Sequence, residues 1–261
     1  MMVSVLLAAI VEVPTWFGVL ASVTLVVVAA LVAAREHLGV TKELLIAAGR
    51  AGVQLVIVGA LLGWLFKHAG LGGALGWVTA MVLVAGRVAG RRGKGIPGAT
   101  RAALIGIAVG TGATLGTLLL LHVVVAQPRV VVPVGGMVVS SAMQAAGVVL
   151  RRLKEQADTD RLEIEARLAL GFSSREAFAP HLRSALRTSL IPGIDVTKTV
   201  GLIALPGAMT GLILAGVAPL TAIRYQIVVM WMLLAATAVA ALVTARLAER
   251  SLFDSAHRLR D

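Results

Sequence analysis

The stretch VVVPVGGMVVSSAMQAAGVVL, Val130 to Leu150, runs directly into RRLKEQADTDRLEIEARLALGFSSREAFAPHLRSALRTSL, Arg151 to Leu190, and this junction decides how the chain is read. The first part is apolar over the roughly 20 residues that a helix needs to cross bilayer hydrocarbon. The second is charged at helical spacing: Arg151 with Glu155, Arg161 with Glu165 and Glu163 with Arg167 stand four apart. Leu153, Ala157, Ile164 and Leu168 make one apolar stripe among them. A spanning helix is therefore expected to continue into water and to end at Gly171, which suits a left-handed cap. Ser173 followed by Glu176 is a capping box for a new start. A helix, a tight turn and a short second helix result, limited or kinked at Pro180. A further helix carries Arg183 and Arg187 on one face, and Pro192 opens the next crossing at a first-turn position where its missing N–H is harmless.

Working outward, apolar runs of spanning length also fall at Trp16 to Ala34, Leu44 to Phe66, Leu71 to Val88, Ala102 to Ala126, Gly193 to Gly216 and Ile223 to Ala245, which predicts about seven transmembrane helices in an all-α polytopic fold. Of 261 residues 58% are hydrophobic and only 14% charged, which excludes a soluble enzyme. The cations sort by side. Arg35 and Lys42, then Arg87 to Arg101, then Arg151 to Arg187, then Arg246 to Arg260 fill alternate gaps and the tail, leaving Lys67, Arg129 and Arg224 opposite. Cytoplasmic loops keep positive charge, so the N-terminus is expected outside and the C-terminus inside. The same bias accounts for the net charge of +11 without nucleic acid. The reading is one transmembrane domain over 1–261, with 151–191 as a cytoplasmic helical extension. Residues 1 to 15, interrupted by Glu12 and Pro14, read as an interfacial lead-in rather than a cleaved signal peptide.

There is no cysteine, hence no disulfide framework and no thiolate metal site. Gly93-Lys94 is the nearest approach to a phosphate-binding loop, but Val88 stands where its first glycine belongs and Gly95 where Ser or Thr must meet magnesium. Any ATP must be bound by another chain. Glycines recur four apart at Gly59/Gly63, Gly72/Gly76, Gly86/Gly90, Gly106/Gly110, Gly112/Gly116 and Gly207/Gly211, as close helix packing requires. A helix held off the membrane on a turn suits a soluble partner; an amphipathic hairpin lying on headgroups is the alternative reading.

Glu165-Ala166, Leu170-Gly171 and Leu190-Ile191-Pro192 resemble the cytoplasmic EAA-type loop of ABC transporter permeases, whose glycine turn and short helix dock into a groove on an ATPase subunit. The resemblance implies that Glu165, Ala166, Leu170, Gly171, Phe172 and Ser173 form the coupling element. Asp195, Lys198-Thr199-Val200-Gly201-Leu202, Leu205-Pro206-Gly207, Met209, Gly211-Leu212-Ile213 and Tyr225-Gln226-Ile227, with Gly49-Arg50-Ala51 and Gln54-Leu55, are similar to the FetB family of iron-export permeases, which includes plant aluminium-sensitivity permeases. The similarity implies an exporter in a bacterial cytoplasmic membrane, two permease copies with two FetA-like ATPases, ATP and magnesium held by the latter, and no cofactor in this chain.

Charges within spans mark pathways. Arg50 and Gln54 lie a turn apart on the second span; Asp195 and Lys198 share a face of the sixth, with Asp195 expected in a first turn that favours an anion. Met137, Ser140, Ser141 and Gln144, with Met143 nearby, make a semi-polar stripe on the fifth, and Pro206-Gly207, beside Met209, permits a kink in the sixth. Asp195 and His122 are the only acid and histidine expected within spans, too few to hold a naked hard cation. A chelated or anionic solute fits the two in-span cations better, and the resemblance to the plant members implies an organic anion such as a nucleotide sugar as the alternative cargo. His37, His68, His181 and His257 read as surface residues. A self-sufficient secondary transporter, lacking mid-membrane protonatable groups, and a receptor using the hairpin to recruit a signalling protein are the other classes.

Overall fold

The computed structural model describes residues 15–254, 256 and 258–260; Glu12, Pro14 and His257 lie outside the described residues. Among the described residues nine helices follow in order: α1 Trp16–Arg35, α2 Thr41–His68, α3 Gly70–Arg91, α4 Ala99–Leu120, α5 Pro128–Thr159, α6 Arg161–Ala169, α7 Ser174–Thr199, α8 Gly207–Leu214 and α9 Pro219–Leu252. No strand is assigned among the described residues. Helices α1 to α5 and α9 are six that are long and apolar enough to cross a membrane. The seventh apolar stretch is divided between the end of α7 and α8.

The chain forms two compact units. One comprises the residues before Gly70 with Gly211–Ala218. In it α1 packs on α2, and along α2 Leu65 alone is buried. The other comprises Gly70–Thr210 and Pro219–Asp261, where α4 and α5 pack on each other and each packs on both α3 and α9, and α7 lies against α5 and α9. Its core is alanine, valine and glycine, which lets backbones approach closely. A Cβ added at Gly110 would stand 2.9 Å from the Ala236 carbonyl oxygen, and one at Gly86 would stand 2.9 Å from Cα of Leu104. Of the six spaced pairs, Gly86/Gly90 and Gly106/Gly110 meet a neighbouring helix; the other eight glycines face open space.

Three local expectations change. Pro180 and Pro192 both lie inside one continuous helix, so the expected short helix, further helix and new crossing are a single α7. Each proline forfeits one backbone bond; Ala177, Phe178, His181, Leu182, Ala185 and Ser189 recur at helical spacing as a buried face that holds the helix through Pro180, while Pro192 lies just beyond that face. The sixth span, Gly193 to Gly216, is not one helix: α7 stops at Thr199, Gly201 turns with φ +82°, its N–H donates to the Ala204 carbonyl at 2.9 Å, and Pro206 precedes α8. Pro206-Gly207 thus follows a full break rather than a kink. Finally, α4 ends at Leu120, which places His122 in the following turn with φ +53° and not within a span.

Candidate functional site

Two features stand out, and both belong to the larger unit. The first is the polar hairpin. Helix α5 has 32 residues, about 48 Å at 1.5 Å per residue, against a hydrocarbon layer of roughly 30 Å, so its charged end projects from any bilayer that its apolar part spans. Ion pairs line it: Arg152 with Glu155 at 2.9 Å, in place of the expected Arg151 pair, and Lys154 with Asp158 at 2.6 Å. The helix breaks at Asp160, and α6 carries the expected pairs Arg161–Glu165 at 2.8 Å and Arg167–Glu163 at 2.7 Å. Such exposed pairs stabilise by only a few tenths of a kcal/mol each; they favour helix in water.

Gly171 turns the chain at φ +90°, and nothing lies within 4 Å of where its Cβ would be. Ser173 then caps α7: its Oγ accepts the Glu176 N–H at 3.3 Å, while Glu176 Oε2 accepts the Ser173 N–H at 3.0 Å and hydroxyl at 2.6 Å. Those side-chain and backbone donations from Ser173 hold the Glu176 carboxyl below its ordinary value. Around the turn, Leu170 and Phe172 are 78% and 51% exposed, and Glu165, Ala166 and Ser173 are exposed near them. These apolar side chains form a knob set among charges.

The hairpin's arms are joined by residues to which the sequence reading gave no such role. Gln156 Nε2 on α5 donates to Ser184 Oγ on α7 at 2.8 Å, and Asp160 Oδ2 stands 3.1 Å from His181 Nδ1. His181 is buried against Phe178, contrary to the surface position expected for it, because α7 continues through Pro180 and carries it into the packed face. Only its spacing from Phe178 and Ala185 on that face could have signalled this.

The second feature is a cavity of about 250 Å³ between α5, α7 and α9. Ser141 and Gln144 line it from α5, Ser189 and Thr197 from α7, and Met230 and Thr237 from α9. The α7 hydroxyls donate to their own helix, Ser189 to Leu186 O at 2.7 Å and Thr197 to Gly193 O at 2.8 Å, leaving oxygen lone pairs for a guest. Met137 lies a turn before Ser141 and is half-buried, as is Met143; neither reaches the cavity wall. Asp195 and Lys198 do not reach it either. They pair at 3.9 Å with both side chains largely exposed. Asp195 sits in the last turn of α7, not in a first turn, so the helix dipole favours Lys198 there and opposes the acid. Pro206 and Met209 are half-buried at the start of α8, and Arg50 and Gln54 are exposed on α2, in the other unit. Among the described residues no three His, Cys, Asp or Glu side chains gather to hold a metal.

Long apolar helices packed through glycine and alanine, a projecting charged hairpin and a semi-polar cavity define a multi-pass α-helical membrane protein. Residues 16–253 match the model of the uncharacterised protein family UPF0014, and the chain belongs to that family. It is 40% identical over 241 residues to the UPF0014 membrane protein STAR2 of rice, covering 92% of this chain and 85% of the relative. It is 37% identical over 235 residues to the probable iron export permease protein FetB of Escherichia coli, covering 90% and 91%. It is 36% identical over 239 residues to ALUMINUM SENSITIVE 3 of Arabidopsis thaliana, covering 92% and 88%. No solved structure matches it.

Proposed function

We propose that this chain is the permease subunit of an ABC exporter, moving iron or a metal-related solute across a bacterial cytoplasmic membrane and driven by a separate ATPase. The observation that carries this reading is the knob of Leu170 and Phe172 on a capped turn, held away from the spanning helices and exposed. In this reading the hairpin is cytoplasmic and the knob fills a groove on the ATPase. FetB is named for iron export and is similar over most of both chains, which supports the substrate class. The absence of any nucleotide-binding loop in the sequence supports the division of labour.

A second copy completes the permease. The unwound residues 200–206 expose Leu202 and Ile203 within an apolar stretch, and non-helical backbone at membrane depth is tolerated only where protein or water covers it. The cavity's neutral hydroxyl and amide lining favours a second reading of the cargo, a chelated metal or an organic anion in place of a naked cation.

The test is co-reconstitution with a candidate ATPase in liposomes. A transported solute raises ATP turnover, and Gly171→Pro abolishes the rise while leaving the chain folded. Transport by the chain alone, or unaltered stimulation in that variant, contradicts the reading.

A further inference from the structure

Past Leu252, Phe253 and Asp254 pair with Arg258, Leu259 and Arg260, and this paired segment seats on the hairpin. Phe253 and Leu259 form an antiparallel bridge; the Asp254 N–H donates to Arg258 O at 2.9 Å and the Arg260 N–H to Leu252 O at 2.9 Å. Asp254 Oδ1 closes the loop by accepting the N–H groups of Ala256 at 2.9 Å and Arg258 at 2.8 Å. Two large side chains anchor this segment. Phe253 is 7% exposed and Leu259 8%. The Phe253 ring meets Phe178 of α7 edge-on with centroids 5.8 Å apart, and Arg161 of α6 donates to Leu259 O at 3.5 Å. The tail thus touches both arms of the hairpin.

It is also continuous with the cavity wall. Helix α9 runs from Pro219 to Leu252 with no glycine or proline after its first residue, so it lacks the usual causes of a kink. Thr237 and Leu252 are separated by about 22 Å along a stiff rod. The hairpin also reaches the cavity along α5, which is unbroken from Ser141 to Thr159, and along α7, which passes through Pro180 and Pro192, where backbone bonds are missing.

We infer that the C-terminal tail is a clasp that fastens the hairpin to α9, so that displacing the hairpin moves the α9 wall of the cavity. Phe253 and Leu259 are positioning residues in this device. The inference rests on the proposed function for what displaces the hairpin, but the clasp itself is tested on the chain alone.

The chain contains no cysteine, so Leu234→Cys on the half-buried α9 wall is a clean reporter of cavity access. In that background Leu259→Asp and Phe253→Ala raise amide exchange across Arg161–Leu182 by about tenfold and change the rate of maleimide modification by about threefold; Leu259→Met changes neither. With the ATPase present, Leu259→Asp still captures it but loses solute-stimulated turnover. Unchanged exchange in both disruptive variants overturns the clasp. Raised exchange with an unchanged labelling rate also overturns it, since the tail then only stabilises the hairpin. If the wild-type chain engages no ATPase, the proposed function fails, and exchange and labelling still decide the clasp.

Discussion

Gly171 is constrained by its backbone alone: its φ is +90° and a Cβ there would meet nothing within 4 Å. Substitution therefore tests conformation without packing. Asparagine tolerates the left-handed region, alanine costs about 1–2 kcal/mol, and proline, locked near −65°, cannot follow the turn. ATPase stimulation should fall in the order Gly, Asn, Ala, Pro, measured in liposomes. Two residues on, Ser173→Ala removes a cap and destabilises the start of α7 by about 1 kcal/mol, seen as faster amide exchange there. Its partner Glu176 titrates in the folded chain below its ordinary value of 4.5. Its contribution is thus complete above that value and is lost as pH falls through the folded one. Exchange across the hairpin should rise on acidification below about pH 4.5 and become flatter in Glu176→Gln. Along the pathway, Arg50→Ala and Lys198→Ala should impair transport more than His122→Ala, since His122 lies in a turn; the reverse order in a transport assay would favour a cation held by imidazole.

At the scale of elements, α7 is the pivot. Phe178 is fully buried and touches His181 and Phe253, so Phe178→Ala should cost about 3–5 kcal/mol, read as a lowered Tm in detergent. Gly110→Leu should loosen the seam between α4 and α9 by overpacking against Ala236 and Ala240. The reading of α7 from sequence divides along physical lines. Its start was legible because a capping box is local chemistry, and six long spans were legible because bilayer thickness imposes their length. Its course through two prolines was not, since tertiary packing outweighs a local penalty that sequence alone registers. That error reversed the expected environment of Asp195, which moved from the first turn of a helix to the last. Ser141 and Gln144 were legible as a stripe, but the face of α7 opposite them depended on the same misjudged helix. The tail's contact with Phe178 had no sequence signal, because an isolated Phe and Leu near a terminus have no period.

Across the whole molecule, the asymmetry of cations predicts which loops share a side. In the cysteine-free chain, single cysteines at Leu162 and at Lys67 should label from opposite faces of a sealed vesicle, Leu162 from the cytoplasmic one; labelling of both from one face contradicts the topology. The account as a whole turns on what the exposed knob touches. A photo-crosslinker placed at Phe172 in intact membranes tests this most directly. The account predicts a covalent adduct with an ATPase subunit, lost in Gly171→Pro. Adducts with lipid alone, from a hairpin lying among headgroups, would contradict it.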